Sequence, residues 1–158
     1  MNVLDFKMWL PWSVEASFGF FTDVTKLDHL TPRWFRLVPR APVPAPLALG
    51  ARIHYRMKWR GWSGDWGSVI REWQPPIAVA YEQGDGPFNF YRHEHRFCAE
   101  RGGTALTERV SFSAPGGDWV DRLLVAPDLK RIFRFREEAV KQWWLQRPAE
   151  YQHLPGDP

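Results

Sequence analysis

The chain has 158 residues, a net charge of +3, one cysteine, and 16% aromatic residues that include 10 tryptophans. A single domain of this size buries roughly 70% of the surface its unfolded chain exposes, enough for a full core with room for a cavity. Cys98 alone excludes an internal disulfide and a cysteine zinc cluster, and the mild, dispersed positive charge argues against a dedicated nucleic-acid binder.

The opening stretch "MNVLDFKMWLPWS" has no basic region followed by an apolar one, so it does not read as a secretory signal. No apolar run approaches the ~20 residues that span a bilayer. The expectation is a soluble, cytoplasmic protein.

Residues 3–10 predict a first strand, ended by Pro11. Ser13 is a good N-cap, with Glu15 in the first turn, for a short helix through "SVEASFGFF". Asp23 caps a second short helix that stops before Thr31-Pro32. In "FRLVPRAPVPAPLALG", Pro39, Pro42, Pro44 and Pro46 forbid a helix and a central strand. The stretch reads as a stiff connector, with a polyproline ligand for a partner domain as the alternative.

From Gly50 to Pro115 strands alternate with turns: 51–60, 65–73, 77–83, 88–98 and 104–114. Short turns between consecutive strands argue an antiparallel meander. After Gly117 the period changes to 3.6, and Trp119, Leu123, Leu124, Leu129, Ile132 and Phe133 open an apolar stripe that runs on to Trp144. That is a long amphipathic helix over 117–146, which Pro127 should kink or split. The reading is one domain, 1–146, with a loose tail over 147–158.

The segment "RIHYRMKWR" alternates strictly. Arg52, His54, Arg56, Lys58 and Arg60 form one row, and Ile53, Tyr55, Met57 and Trp59 the other. One row must face a core and the other water.

The chain resembles the START-like or SRPBCC superfamily. The residues that carry the resemblance are "LDHLTPRWFRLV" (27–38), "GARIHYRMKWRGW" (50–62), "GPFNFYRHEHRF" (86–97), "TALTERVSF" (104–112) and "DLKRIFRFR" (128–136). The resemblance implies an α+β helix-grip fold, a curved antiparallel sheet of six to seven strands around the long C-terminal helix. It also implies a cavity between sheet and helix. The basic row would then be the convex, wet face, offset by Glu72, Glu82 or Glu94 on nearby strands.

His93 and His95 share one strand face with Tyr91 and Phe97, and Phe97 draws both imidazoles inward. There they would hydrogen-bond a ligand or each other's neighbours. With Glu100 they also look like half of a cupin metal motif, but a further histidine is lacking except for His153, so no metal and no cofactor is expected. Glu108 points inward if Val110 and Phe112 do, and could serve as an acid or base with a raised pKa, or as a buried salt link. Trp59, Trp62 and Trp66 flank a turn and could form a rim of the cavity mouth. No nucleophile elbow, phosphate loop or dinucleotide fingerprint occurs.

The first functional reading is therefore binding of a small apolar or aromatic molecule (lipid, polyketide or isoprenoid-like). Tyr55, Met57, Trp59, Trp66, His93, His95, Phe112 and Phe133 would line the cavity. A cyclase or dehydratase using His93, His95 and Glu108 is the alternative, and an anion- or RNA-binding face on strand 52–60 ranks third. A homodimer stays open.

Overall fold

A computed structural model describes residues 1–147. The tail assigned to 147–158, and His153 in it, lie outside the described residues except for Arg147. The elements are β1 (Asn2–Leu10), α1 (Val14–Thr22), a 3-10 turn (Val24–Lys26) and α2 (Leu27–Leu30). Six strands follow: β2 (Phe35–Pro39), β3 (Arg52–Trp59), β4 (Trp62–Gln74), β5 (Ala78–Asp85), β6 (Phe90–Glu100) and β7 (Gly103–Ser113). The chain then runs through α3 (Asp118–Val120), a π-turn (Asp121–Val125) and α4 (Ala126–Gln146) without a break.

The seven strands form one antiparallel sheet in the order β1-β7-β6-β5-β4-β3-β2. It is a curled half-barrel around the C-terminal helix, as expected for a helix-grip α+β fold. Two register shifts in β4, at Gly67/Ser68 and at Ile70/Glu72, help bend it. They also bury a continuous run, Trp66 to Ile70, in place of alternation.

Local chemistry explains the boundaries. Ser13 caps α1 by accepting from the amide of Ala16 at 3.1 Å. The β3–β4 and β6–β7 hairpins turn on Arg60-Gly61 and Arg101-Gly102, all four at positive φ. Two such residues in a two-residue loop match the right-handed twist of the strands. The proline-rich connector hides one strand that the sequence did not suggest. β2 holds Phe35–Pro39 against β3, and Pro39 is tolerated because β2 is an edge.

Pro127 does not split the helix as expected, since helical structure continues from Asp118 to Gln146. The turn before it widens, and the Ala126 amide donates to Asp121 five residues back. Pro127 falls in the first turn of α4, where its missing N–H costs least. The extra residue shifts the helix phase, so Trp119, Leu123 and Leu124 are exposed while Asp121 and Val125 are buried. These three residues do not belong to the inward stripe that the periodicity suggested.

Three apolar clusters form the interior. Trp12, Phe18 and Phe20 anchor one under α1, with Phe97 and Val140. Val110, Phe112, Val125, Leu129 and Phe133 form a second between β7 and the helix. Ile53, Tyr55, Met57 and Trp66 form a third beneath β3 and β4. Phe112 is fully buried in the second cluster, so Phe112→Ala should lower unfolding free energy by about 3–5 kcal/mol in urea titrations.

Candidate functional site

The three clusters do not fill the space where they meet. A cavity of about 110 Å3 remains there, bounded by Tyr55 and Trp66 from the sheet, Phe21 from α1, and Ile132 and Phe133 from α4. Tyr81, Tyr91, His93, His95 and Arg136 complete much of its wall. A second space of about 30 Å3 lies toward Trp59, Phe88 and Asp128, and shares Phe35, Trp66, Tyr91, Leu129 and Ile132 with the first.

The polar part of the wall comes from two strands and the helix. His93 and His95 lie two apart on β6, and β7 sets Glu108 opposite His95. From α4, Arg136 reaches down from the same stripe as Leu129, Ile132, Phe133 and Val140. Glu108 Oε1 is the hub. It accepts from Arg136 Nη1 at 2.9 Å, stands 3.1 Å from His93 Nε2, and lies 3.4 Å from His95 Nδ1. Glu108 is 1% exposed.

Burial by itself would raise the Glu108 pKa. The Arg136 guanidinium and the His93 hydrogen bond overcome that, and the carboxyl is held down at about 2. Burial lowers His93 against the opposing pull of Glu108, and it lowers His95 further, with His93 adding to the effect. Burial also raises the phenols of Tyr55, Tyr81 and Tyr91, the last to about 12. Near neutrality the site therefore holds one carboxylate, one guanidinium and two neutral imidazoles.

A carboxylate has no proton to give, so His93 donates from Nε2 and keeps a lone pair on Nδ1. Among the described residues, the buried atoms Arg136 Nε, His95 Nδ1 and Glu108 Oε2 make no hydrogen bond. His93, His95 and Glu108 place one donor atom each within 4.8 Å of the others, a span that suits an ion. The guanidinium already supplies the positive charge at the shared oxygen. Glu100, the third group of the cupin-like reading, is exposed at the far end of β6 and takes no part.

The residues singled out from sequence fall as follows. Tyr55, Trp66, His93, His95 and Phe133 border the larger space, and Trp59 borders the smaller. Met57 and Phe112 are fully buried but pack behind the wall, in the third and second clusters. Trp62 faces outward at 47% exposure and borders neither space, while Trp59 and the buried Trp66 line the smaller one. Ile53, Tyr55 and Met57 do point inward, while Arg52, His54, Arg56 and Lys58 stand in water.

Four corrections follow from the geometry. Arg60 leaves the basic row, because its turn conformation swings the guanidinium to Asp128, at 2.6 and 3.0 Å. The row is offset by Asp65, which meets Arg56 and Arg40. Glu72, Glu82 and Glu94 serve Arg71, Arg92 and Arg96 instead. Glu108 has a lowered pKa where a raised one was considered, because the sequence pattern did not reveal its partner, Arg136.

Arg136 and Asp128 were missed, although a signal existed. Arg136 is the one charge at an inward position of the stripe between Phe133 and Val140, opposite the one inward carboxylate of β7. Asp128 accepts from Trp59 Nε1 at 2.7 Å as well as from Arg60, closing the β3–β4 turn onto α4.

No family model and no curated protein matches the chain. Solved structures of the same fold do. A Rhodobacter sphaeroides protein superposes with a TM-score of 0.70 at 15% identity, covering 92% of this chain and 93% of its own. An Arthrobacter aurescens protein gives 0.70 at 10% identity over 99% and 93%. An AHSA1-like protein from Aeromonas hydrophila gives 0.64 at 13% identity over 98% and 100%. At these identities the likeness establishes the fold, a curled sheet gripping a C-terminal helix.

Two measurements probe the cluster. Glu108 is depressed from 4.5 to about 2, so the folded chain binds fewer protons than the unfolded one as pH falls through that window, and stability falls with it. The histidines, held below 6.5, act with the same sign from about pH 6.5 downward. Unfolding free energies from urea titrations should therefore drop on acidification below pH 6.5, by at most about 1.4 kcal/mol per pH unit for each neutral histidine. A His93→Gln, His95→Gln double variant should show a flatter profile between pH 7 and 5. Arg136→Leu alone strands a buried carboxylate and should cost about 3–5 kcal/mol, much of it recovered when Glu108→Leu is added.

Proposed function

We propose that the protein binds a small, largely apolar molecule in the chamber between the sheet and the C-terminal helix, as a START-like/SRPBCC ligand-binding domain. The observation that carries this reading is an aromatic-walled cavity with a single polar corner at Glu108, Arg136 and the two histidines. Binding sites of this kind are mostly apolar with a few placed polar groups. The helix-grip architecture shared with the AHSA1-like protein is consistent with it.

Size narrows the ligand. About 110 Å3 is well below the roughly 300–1,000 Å3 usual for a drug-sized pocket, so a lipid or polyketide would not fit the chamber as it stands. The cyclase alternative is weakened on separate grounds. A carboxyl held at about 2 has no proton to donate near neutrality and is only a weak base, which leaves the two neutral histidines as the main candidates for that role. The basic strand face gains no support as an anion site, since Asp65 already pairs with Arg56 and Arg40.

Titration with toluene, followed by amide NMR spectra, tests the reading. Shifts should cluster on β3, β6 and α4 around the cavity wall. Ser68→Leu, which pushes apolar volume inward from the wall, should weaken toluene binding about tenfold or more while leaving the fold stable. Shifts scattered over the outer surface, or none at saturation, would remove the proposal.

A further inference from the structure

Resting on the small-molecule reading above, we infer the chemical class of the occupant: a one-ring aromatic alcohol of the phenol type, with its hydroxyl held at the His93–Arg136 corner. Two features point there, the size of the chamber and the inventory of unused hydrogen-bonding atoms around it.

The size argument is direct. A dry cavity of roughly 150 Å3 holds one benzene. The larger space here is about 110 Å3, and a further 30 Å3 adjoins it across Trp66 and Tyr91. On that scale the chamber takes at most one small ring, and a second ring does not fit. The walls favour a ring too. Tyr55, Trp66, Tyr91 and Phe133 offer faces and edges, and Trp66 meets Tyr91 edge-on at 4.9 Å.

The polar argument uses the donors and acceptors in turn. His93 commits Nε2–H to Glu108, so its Nδ1 is an acceptor with no protein partner among the described residues. Arg136 commits Nη1 to the same carboxylate, while its buried Nε–H has no partner on a side chain only 10% exposed. Tyr55, Tyr81 and Tyr91 line the cavity, and no hydrogen bond ties their hydroxyls to another described residue. The corner thus offers acceptors at His93 Nδ1 and Glu108 Oε2, a donor at Arg136 Nε, and phenol groups that can do either. A hydroxyl matches that set, because it gives one hydrogen bond and takes up to two.

Other head groups match less well. A plain hydrocarbon ring would leave the Arg136 and His93 atoms dry and unpaired, and a site with buried polar groups discriminates against the analogue that lacks the hydroxyl. A carboxylate would bring a second negative charge beside Glu108, whose own charge already uses the one guanidinium.

Competing probes separate the outcomes. Phenol, toluene and benzoate are titrated into the intact chain by calorimetry, with amide NMR locating each. Phenol should bind at least about tenfold more tightly than toluene, despite its greater hydration, and benzoate more weakly than phenol. His93→Leu should cut phenol affinity by about tenfold or more and change toluene affinity by less than about threefold. The ranking in the unmodified chain stands without the variant, should His93→Leu fail to fold. Toluene binding as tightly as phenol in the cavity overturns the inference and leaves the small-molecule reading intact. Preference for benzoate overturns the hydroxyl assignment in the same way. If no one-ring probe enters, the reading and the inference fall together.

Discussion

The contact between Glu108 and Arg136 governs the interior. It joins β7 to α4 across 28 residues of sequence, and both partners are almost fully buried. A buried ion pair is poor evidence of net stability, because desolvating two charges consumes most of what their attraction returns. Its effect here is on state. It fixes Glu108 as a carboxylate, which in turn orients the neutral His93 ring and leaves Nδ1 as its acceptor nitrogen. The hydrogen-bonding character of the chamber follows from that one pairing.

The helix is fastened to the sheet by polar links at intervals. Asp121 accepts from the Ala114 amide at 2.8 Å and from Asn2 at 2.9 Å. Asp128 holds Trp59 and Arg60, and Arg136 holds Glu108. Each link sets a spacing between helix and sheet that apolar collapse alone would not respect. Protein interiors normally close up to crystal-like density, and an unfilled space forfeits contact energy. Directional bonds on both flanks of the gap explain how a hollow survives in a core so rich in large rings.

Much of the fold was legible in the sequence. The strict alternation of 52–59 oriented β3, the parity of His93, His95 and Phe97 oriented β6, and the change of period after Gly117 announced the helix. What stayed hidden depended on pairing across the chain. β2 was masked because proline-rich composition outweighs five residues of edge pairing. Arg136 looked like one more charge on a charged helix, and only β7 shows what it meets. Arg60 continued the alternation on paper, yet a turn residue obeys its own φ rather than the strand's period. The volume of the cavity could not be read at all, since it is the difference between two packed surfaces.

The π-turn at Asp121–Val125 carries a consequence for how the chain tolerates change in length. Each helical residue advances the side-chain direction by about a hundred degrees, so one surplus residue works like a vernier between two screws. The short lead-in, with Asp121 docked on Ala114, keeps its own azimuth, and Leu129, Phe133 and Arg136 keep theirs. Trimming that surplus would restore a regular helix and misalign one end with its half of the sheet. Irregularity at this point is the condition for both ends to fit.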